Sequence, residues 1–269
     1  MQIHAIVTKQ DWIAARRALL AKEKELTRLR DRLTEERRAL PWIKIEKPYV
    51  FDGPEGKVTL AELFDGRSQL FIKHFMLGPG ASTLCVGCSF EVDHVEGILS
   101  HLNHHDVTYA AVARAPIEEI EAVRQRMGWR FSFVSSYRSD FNYDFDVSFT
   151  TEQIATGGAL YNFGRAPEWA AGLEDLSGRS VFFKDESGEI YLTYASFSRG
   201  GEDFLTAYRI LDATPKGRDE NGPYHSLGDW VRPHDSYGKG GTVEPNGRFH
   251  AASCACAAHE RTASAGAET

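Results

Sequence analysis

Apolar and polar positions follow two different rhythms along this chain. Between residues 8 and 40, Trp12, Leu19, Leu26, Leu33 and Leu40 recur every seven positions, with Ile13, Leu20 and Leu29 beside them. This pattern predicts one long helix with a narrow apolar stripe, opened by a capping box at Thr8 and Asp11 and closed by Pro41. Lys22 and Glu36 interrupt the second seam of a coiled coil, so the stripe suits either a homodimer through this helix or docking on the chain's own body. From residue 56 onward, strand-like and helix-like runs alternate. "SQLFIKHFML" (68–77) is a near-continuous apolar run, as expected of a strand covered on both faces. Cys88, Val92, Val95, Leu99 and Leu102 then predict a helix that begins near Cys85 and buries its Cys88 face. "VTYAAVA" (107–113) is the next strand. A second helix opens at Pro116, runs through Ile117, Ile120, Val123 and Met127, and ends at Gly128. "SVFFK" and "IYLTYASF", joined by "DESGE", read as a hairpin, and "GEDFLTAYRILD" (201–212) as a closing helix.

The resulting order is β-α-β-α-β-β-α, that of an α/β thioredoxin-like fold, with the long helix as an N-terminal extension. An aromatic-rich insertion, residues 128–179, precedes the terminal hairpin. Its Trp129, Phe131, Phe133, Phe141, Phe145 and their neighbours fit an extra core layer, or a lid over a pocket. Beyond Gly238 the composition turns to Gly, Ala and Ser, which predicts a segment with too little apolar surface to order itself. The domains expected are therefore 1–44, a helical extension, 45–237, the thioredoxin-like domain, and 238–269, a flexible tail.

Composition narrows the function. The 269 residues are 42% hydrophobic, enough for a substantial core, and the formal charge of −7 argues against a nucleic-acid partner. Neither a signal peptide nor a membrane span is indicated, so a cytoplasmic location is expected. Four cysteines fall into two close pairs, Cys85/Cys88 and Cys254/Cys256. In a reducing compartment such pairs suit thiol chemistry or metal better than structural disulfides. The first pair forms a CxxC where the first strand gives way to the first helix, the place where the fold keeps a dithiol.

The runs "HFMLGPGASTLCVGCSF", "AARRALLAKEKELTRLRDRL", "RMGWRFSFVSSYRSDFNYDF" and "LDATPKGRDE" resemble the bacterial domain-of-unknown-function family 899, described as predicted dithiol-disulfide oxidoreductases of the thioredoxin-like superfamily. The resemblance spans about residues 5–237 and implies a dithiol role for Cys85 and Cys88. At a helix N-terminus, free N–H groups and the macrodipole stabilise a thiolate, and Cys85 is expected there with its sulfur toward solvent. Cys88, one turn in, is expected to be less accessible, so Cys85 attacks and Cys88 resolves. Thioredoxin-like oxidoreductases carry a cis-proline before the third strand. Here the slot reads "LSGRSVFF", which puts Arg179 or Ser180 opposite the sulfurs, and Arg179 there could lower the pKa of Cys85. His74, ionisable within a buried strand as is Lys73, is the candidate proton shuttle, with a structural role as its alternative.

Two other readings stay open. The CxxC could be half of a zinc or copper site completed by tail residues among His250, Cys254, Cys256 and His259. A peroxiredoxin-like peroxide reductase is the other, although in Pro-x-x-x-Thr-x-x-Cys terms Pro79 and Thr83 are present and Cys85 falls one residue early. No bound organic cofactor is expected. The partners expected are a disulfide or peroxide substrate and a thiol reductant.

Overall fold

The structure, a computed structural model, describes residues 4–252. Cys254, Cys256 and His259 lie outside the described residues. Thr8 caps helix α1 (Lys9–Arg38), its hydroxyl accepting the Asp11 N–H at 3.2 Å. No side chain of α1 is buried, and Trp12, Leu19, Leu26 and Leu33 stay exposed. Arg37 connects the helix to the body, 3.4 Å from Asp203 and over the ring of Tyr194.

Short strand β1 (Ile43–Lys44) is followed by a hairpin, β2 (Val50–Gly53) and β3 (Gly56–Thr59), and by β4 (Gln69–His74). Strand β5 (Leu84–Cys85) runs directly into α2 (Val86–Asp93), and α3 (Leu99–His104), β6 (Val107–Ala113), α4 (Ile117–Met127) and β7 (Ser132–Ser135) follow. The insertion adds α5 (Phe141–Asp144), α6 (Thr151–Thr156) and a small hairpin, β8 (Leu160–Tyr161) with β9 (Gly164–Arg165). Next come β10 (Gly178–Lys184), β11 (Ile190–Phe197), α7 (Thr206–Leu211) and a last hairpin, β12 (Thr242–Val243) with β13 (Arg248–His250).

The main sheet has the order β1-β11-β10-β4-β6-β7-β2-β3. Strands β4, β6 and β7 are parallel, and β10 is antiparallel to both β4 and β11. The central four, β6-β4-β10-β11, linked through α2, α3 and α4, form the thioredoxin fold that the element order predicts. Because side chains alternate across a strand, each strand divides its residues between two cores. Phe75, Tyr109, Ala111 and Phe133 pack with Cys88, Val92, Ile120 and Met127 on one side. Leu70, Ile72, Ala110, Val112 and Phe182 pack with Phe51, Phe64 and Phe141 on the other.

Several elements differ from the sequence pattern. The helix expected from Cys85 through Leu102 is two helices, because His94, Val95 and Ile98 bond three residues back, to Glu91, Val92 and Val95, and tighten the chain between α2 and α3. The helix expected over 201–212 is a 3₁₀ stretch, Ser198–Phe204, followed by α7. A side chain at Gly201 would run into the Arg179 guanidinium, so this segment owes its close approach to the glycine. The insertion contributes β7 to the sheet, and Trp129, Phe131 and Phe133 are buried against the α2 side while Phe141 is buried on the other. These aromatics belong to core layers, whereas Phe163 of the same insertion is exposed. Of the segment 238–269, expected to stay unordered, residues 242–250 hold β12 and β13, because Val243 and Phe249 bury against Val86, Phe90, Leu205 and Tyr208.

Candidate active site

Cys85 is the N-cap of α2. Its backbone is extended, and its Sγ accepts the Cys88 N–H at 3.3 Å, the bond that a serine or aspartate makes at other helix starts. Both cysteines are free thiols. They are 7% and 1% exposed, so the expectation of a solvent-facing Cys85 is corrected. The cause is β13, which pairs antiparallel with β5 and sets Arg248 opposite Cys85, while the Val86 N–H donates to Gly247 O at 2.9 Å. Both cysteines nevertheless line a cleft of about 450 Å³, partly open to solvent. Its other walls come from Arg179, Gly201 to Leu205, Leu227 and Glu244 to Gly247.

Beside Cys88 lies a buried charge cluster. Lys73, Glu91 and Arg179 are 0%, 5% and 3% exposed. Lys73 Nζ donates to Glu91 Oε2 at 2.8 Å and also to Ser177 Oγ. Arg179 Nε donates to Glu91 Oε1 at 2.7 Å, its Nη2 bonds Oε2, and its Nη1 donates to Ser198 O at 3.2 Å. Burial pushes the Glu91 carboxyl up, but the charge of Lys73 and the bonds and charge of Arg179 outweigh it and hold the group below its usual range. Two cations thus share one carboxylate. One positive charge is left over in a region of low dielectric, where a nearby anion gains the most.

That anion is the thiolate of Cys88. Burial pushes its pKa up, but the hydrogen bond from Cys85, the charge of Lys73 and the Met76 N–H, 3.5 Å from Sγ, together bring it down to about 6. Cys85 is pushed well up, first by its hydrogen bond to the Cys88 sulfur and then by burial. The pair gives up one proton readily and holds the other firmly.

Of the residues singled out from sequence, Cys85, Cys88 and Arg179 come together and His74 does not. His74 lies on the opposite face of β4, its Nε2 2.9 Å from Ser180 Oγ and its ring stacked on Phe141 and Phe145. Burial, then the charge of Lys73, brings its pKa down to about 3, so the ring is neutral. Of the two ionisable residues of β4, Lys73 is the one on the side of the cysteines, where its charge acts on Cys88. Glu91 went unremarked in the sequence, where the one signal was a carboxylate at an otherwise apolar position of α2. No cis peptide occurs among the described residues, and Gly178 and Arg179 are already the first two residues of β10. In the segment 228–238, Gly228 lines the cleft, Trp230 packs edge-on against Phe90, and Asp235 pairs with Arg126. Among the described residues no three His, Cys, Asp or Glu side chains converge as metal ligands. No helix there is long and apolar enough to cross a membrane.

The model of the family described as "Bacterial protein of unknown function (DUF899)" matches residues 1–237. The chain belongs to this family. No curated protein shows significant similarity to this DUF899 member. Among solved structures it is similar to peroxiredoxin Q of Xanthomonas campestris, with 16% identity, 60% of this chain and 90% of that one covered, and a TM-score of 0.41. It is also similar to peroxidoxin BcpB of Mycobacterium tuberculosis, with 10% identity, coverage of 61% and 94%, and a TM-score of 0.39. Thioredoxin peroxidase I of Plasmodium yoelii gives 13% identity, coverage of 71% and 96%, and a TM-score of 0.39.

Proposed function

We propose that this DUF899 protein is a thiol–disulfide oxidoreductase whose Cys85 and Cys88 cycle between dithiol and disulfide. One observation carries the reading: two free thiols at a helix N-terminus share a cleft, with an unbalanced buried positive charge beside the second. Cys85, the more exposed of the two, attacks one sulfur of a substrate disulfide as its proton passes across the hydrogen bond to the Cys88 thiolate. A mixed disulfide forms and the first substrate thiolate leaves. Cys88 then attacks the Cys85 sulfur, its proton going to a departing thiolate, and the second substrate thiol is released with the Cys85–Cys88 bond closed. A dithiol reductant restores the pair, as a reducing compartment such as the cytoplasm supplies.

Arg179 on the cleft wall favours a second reading in which the oxidant is a hydroperoxide. Cys85 would take the distal oxygen as a sulfenic acid and release an alcohol, and Cys88 would then close the disulfide and release water.

Alkylation rate against pH tests the site. The wild type is expected to titrate near the value of about 6 that the cluster sets for Cys88. In Lys73→Met the midpoint should rise by about a unit or more toward that of an ordinary thiol. Disulfide turnover driven by a dithiol reductant is expected to vanish in Cys85→Ser. A wild-type midpoint at the ordinary thiol value, or turnover surviving in Cys85→Ser, refutes the assignment.

A further inference from the structure

We infer that the cleft takes low-molecular-weight disulfides and excludes disulfides carried on folded proteins, with the β12–β13 hairpin as the device that selects. The inference rests on the dithiol reading above. A protein substrate reaches a thioredoxin-like dithiol most simply by laying an extended backbone against the edge beside it, since added-strand pairing supplies affinity without side-chain recognition. Here that edge is occupied. β5 carries Cys85, and its partner is the chain's own β13, with Arg248 opposite Cys85 and Phe249 opposite Leu84. The Val86 N–H, the next donor along, is spent on Gly247 O.

Exchange requires the attacking sulfur to reach a substrate sulfur along the line of the S–S bond. A protein disulfide is flanked by two backbones, with Cα atoms roughly 4.4–6.8 Å apart, and both would have to enter with it. The cysteines line a cleft whose walls include Ser198, Glu202, Leu205, Leu227 and the turn 244–247. Its volume of about 450 Å³ suits a small molecule. Arg179 cannot move aside without leaving Glu91, and Leu227 closes over Gly87, where an added Cβ would meet both Leu227 methyls at 3.6 Å.

The exposed lining is mostly apolar, from groups such as Leu205, Leu227 and Pro245, with the paired Arg199 and Glu202 and the polar Ser226 and Asn246 set into it. Such a lining suits a small, flexible disulfide whose methylene stems meet the apolar wall and whose polar ends meet the charged groups. The reaction balances as in the two exchange steps above. One small disulfide is reduced to two thiols, and the Cys85 and Cys88 dithiol is oxidised to a disulfide.

The experiment mixes the reduced full-length protein with oxidised glutathione or with a folded protein disulfide such as that of insulin, and follows loss of the two thiols by alkylation and mass mapping. Oxidised glutathione is expected to form the Cys85–Cys88 bond faster by about tenfold or more. In the full-length Val243→Ala/Phe249→Ala variant, whose hairpin loses its buried anchors, the protein disulfide is expected to gain rate and the ratio to fall. Equal or faster oxidation of the wild type by the protein disulfide overturns the inference and leaves the dithiol reading standing. Failure of both oxidants to form the Cys85–Cys88 bond overturns the two together. The wild-type ratio decides the matter even where the variant does not fold.

Discussion

Lys73 and His74 are neighbours in β4, and their side chains meet opposite fates. Lys73 shares a face with Phe71 and Phe75 and reaches the cysteines through Glu91. His74 shares a face with Leu70 and Ile72, against Phe141 and Phe145. The sequence shows that two adjacent strand residues must diverge, but which of them faces α2 depends on the side of the sheet the helix takes, and that is decided by packing. His74 also makes stability depend on pH. Its folded pKa, about 3, lies below the ordinary value of 6.5, so the unfolded chain binds a proton over that interval and the native state does not. The contribution is complete above about pH 6.5 and is lost progressively as pH falls toward about 3. Denaturant unfolding of wild type is expected to weaken across that range, and His74→Gln to flatten the trend. An equally steep decline in the variant would remove His74 as the cause.

At the scale of the element, boundaries set by caps and breakers are legible. Thr8, Pro41, Pro116 and Gly128 mark boundaries that the structure keeps to within a few residues, because caps and breakers act locally. Strands β6 and β11 match the runs 107–113 and 190–197. Among the strands not legible in the sequence, β2, β3 and β7 have four residues each, too few for alternation to stand out from the aromatic stretch or the Gly-containing turn beside them, and β1, β5, β8, β9 and β12 have only two. β13 escaped for another reason: a single buried ring, Phe249, anchors it, and a composition average dilutes one residue. Helix α1 buries nothing, so its cap should matter to it alone. Thr8→Ala is expected to cost about 1 kcal/mol in local helix stability, read as faster hydrogen exchange in α1. The denaturation midpoint of the domain is expected to stay where it is, and a shift there would mean that α1 is coupled to the core.

Taken as a whole, the molecule is held across its centre by ionic contacts that no single segment encodes. Glu91 on α2 bonds Lys73 on β4 and Arg179 on β10, and Arg179 goes on to the carbonyl of Ser198. The positions of Cys85 and Cys88 could be read from a short run of letters, because the proposed dithiol needs them three residues apart on one turn. The charge that tunes them is contributed from residues 73, 91 and 179, which only the folded sheet brings together. The same arrangement bears on which redox form is the more stable. Closing the sulfur–sulfur bond abolishes the one mobile anion near Lys73 and Arg179, and their surplus charge then sits uncompensated in the interior. Most covalent cross-links make a protein harder to melt. Here the reduced form is expected to have the higher melting temperature by calorimetry, with the gap shrinking in Lys73→Met. A pair that is less comfortable oxidised is promptly returned to its two thiols by the dithiol that drives it, so the protein would wait for its substrate in the reduced form.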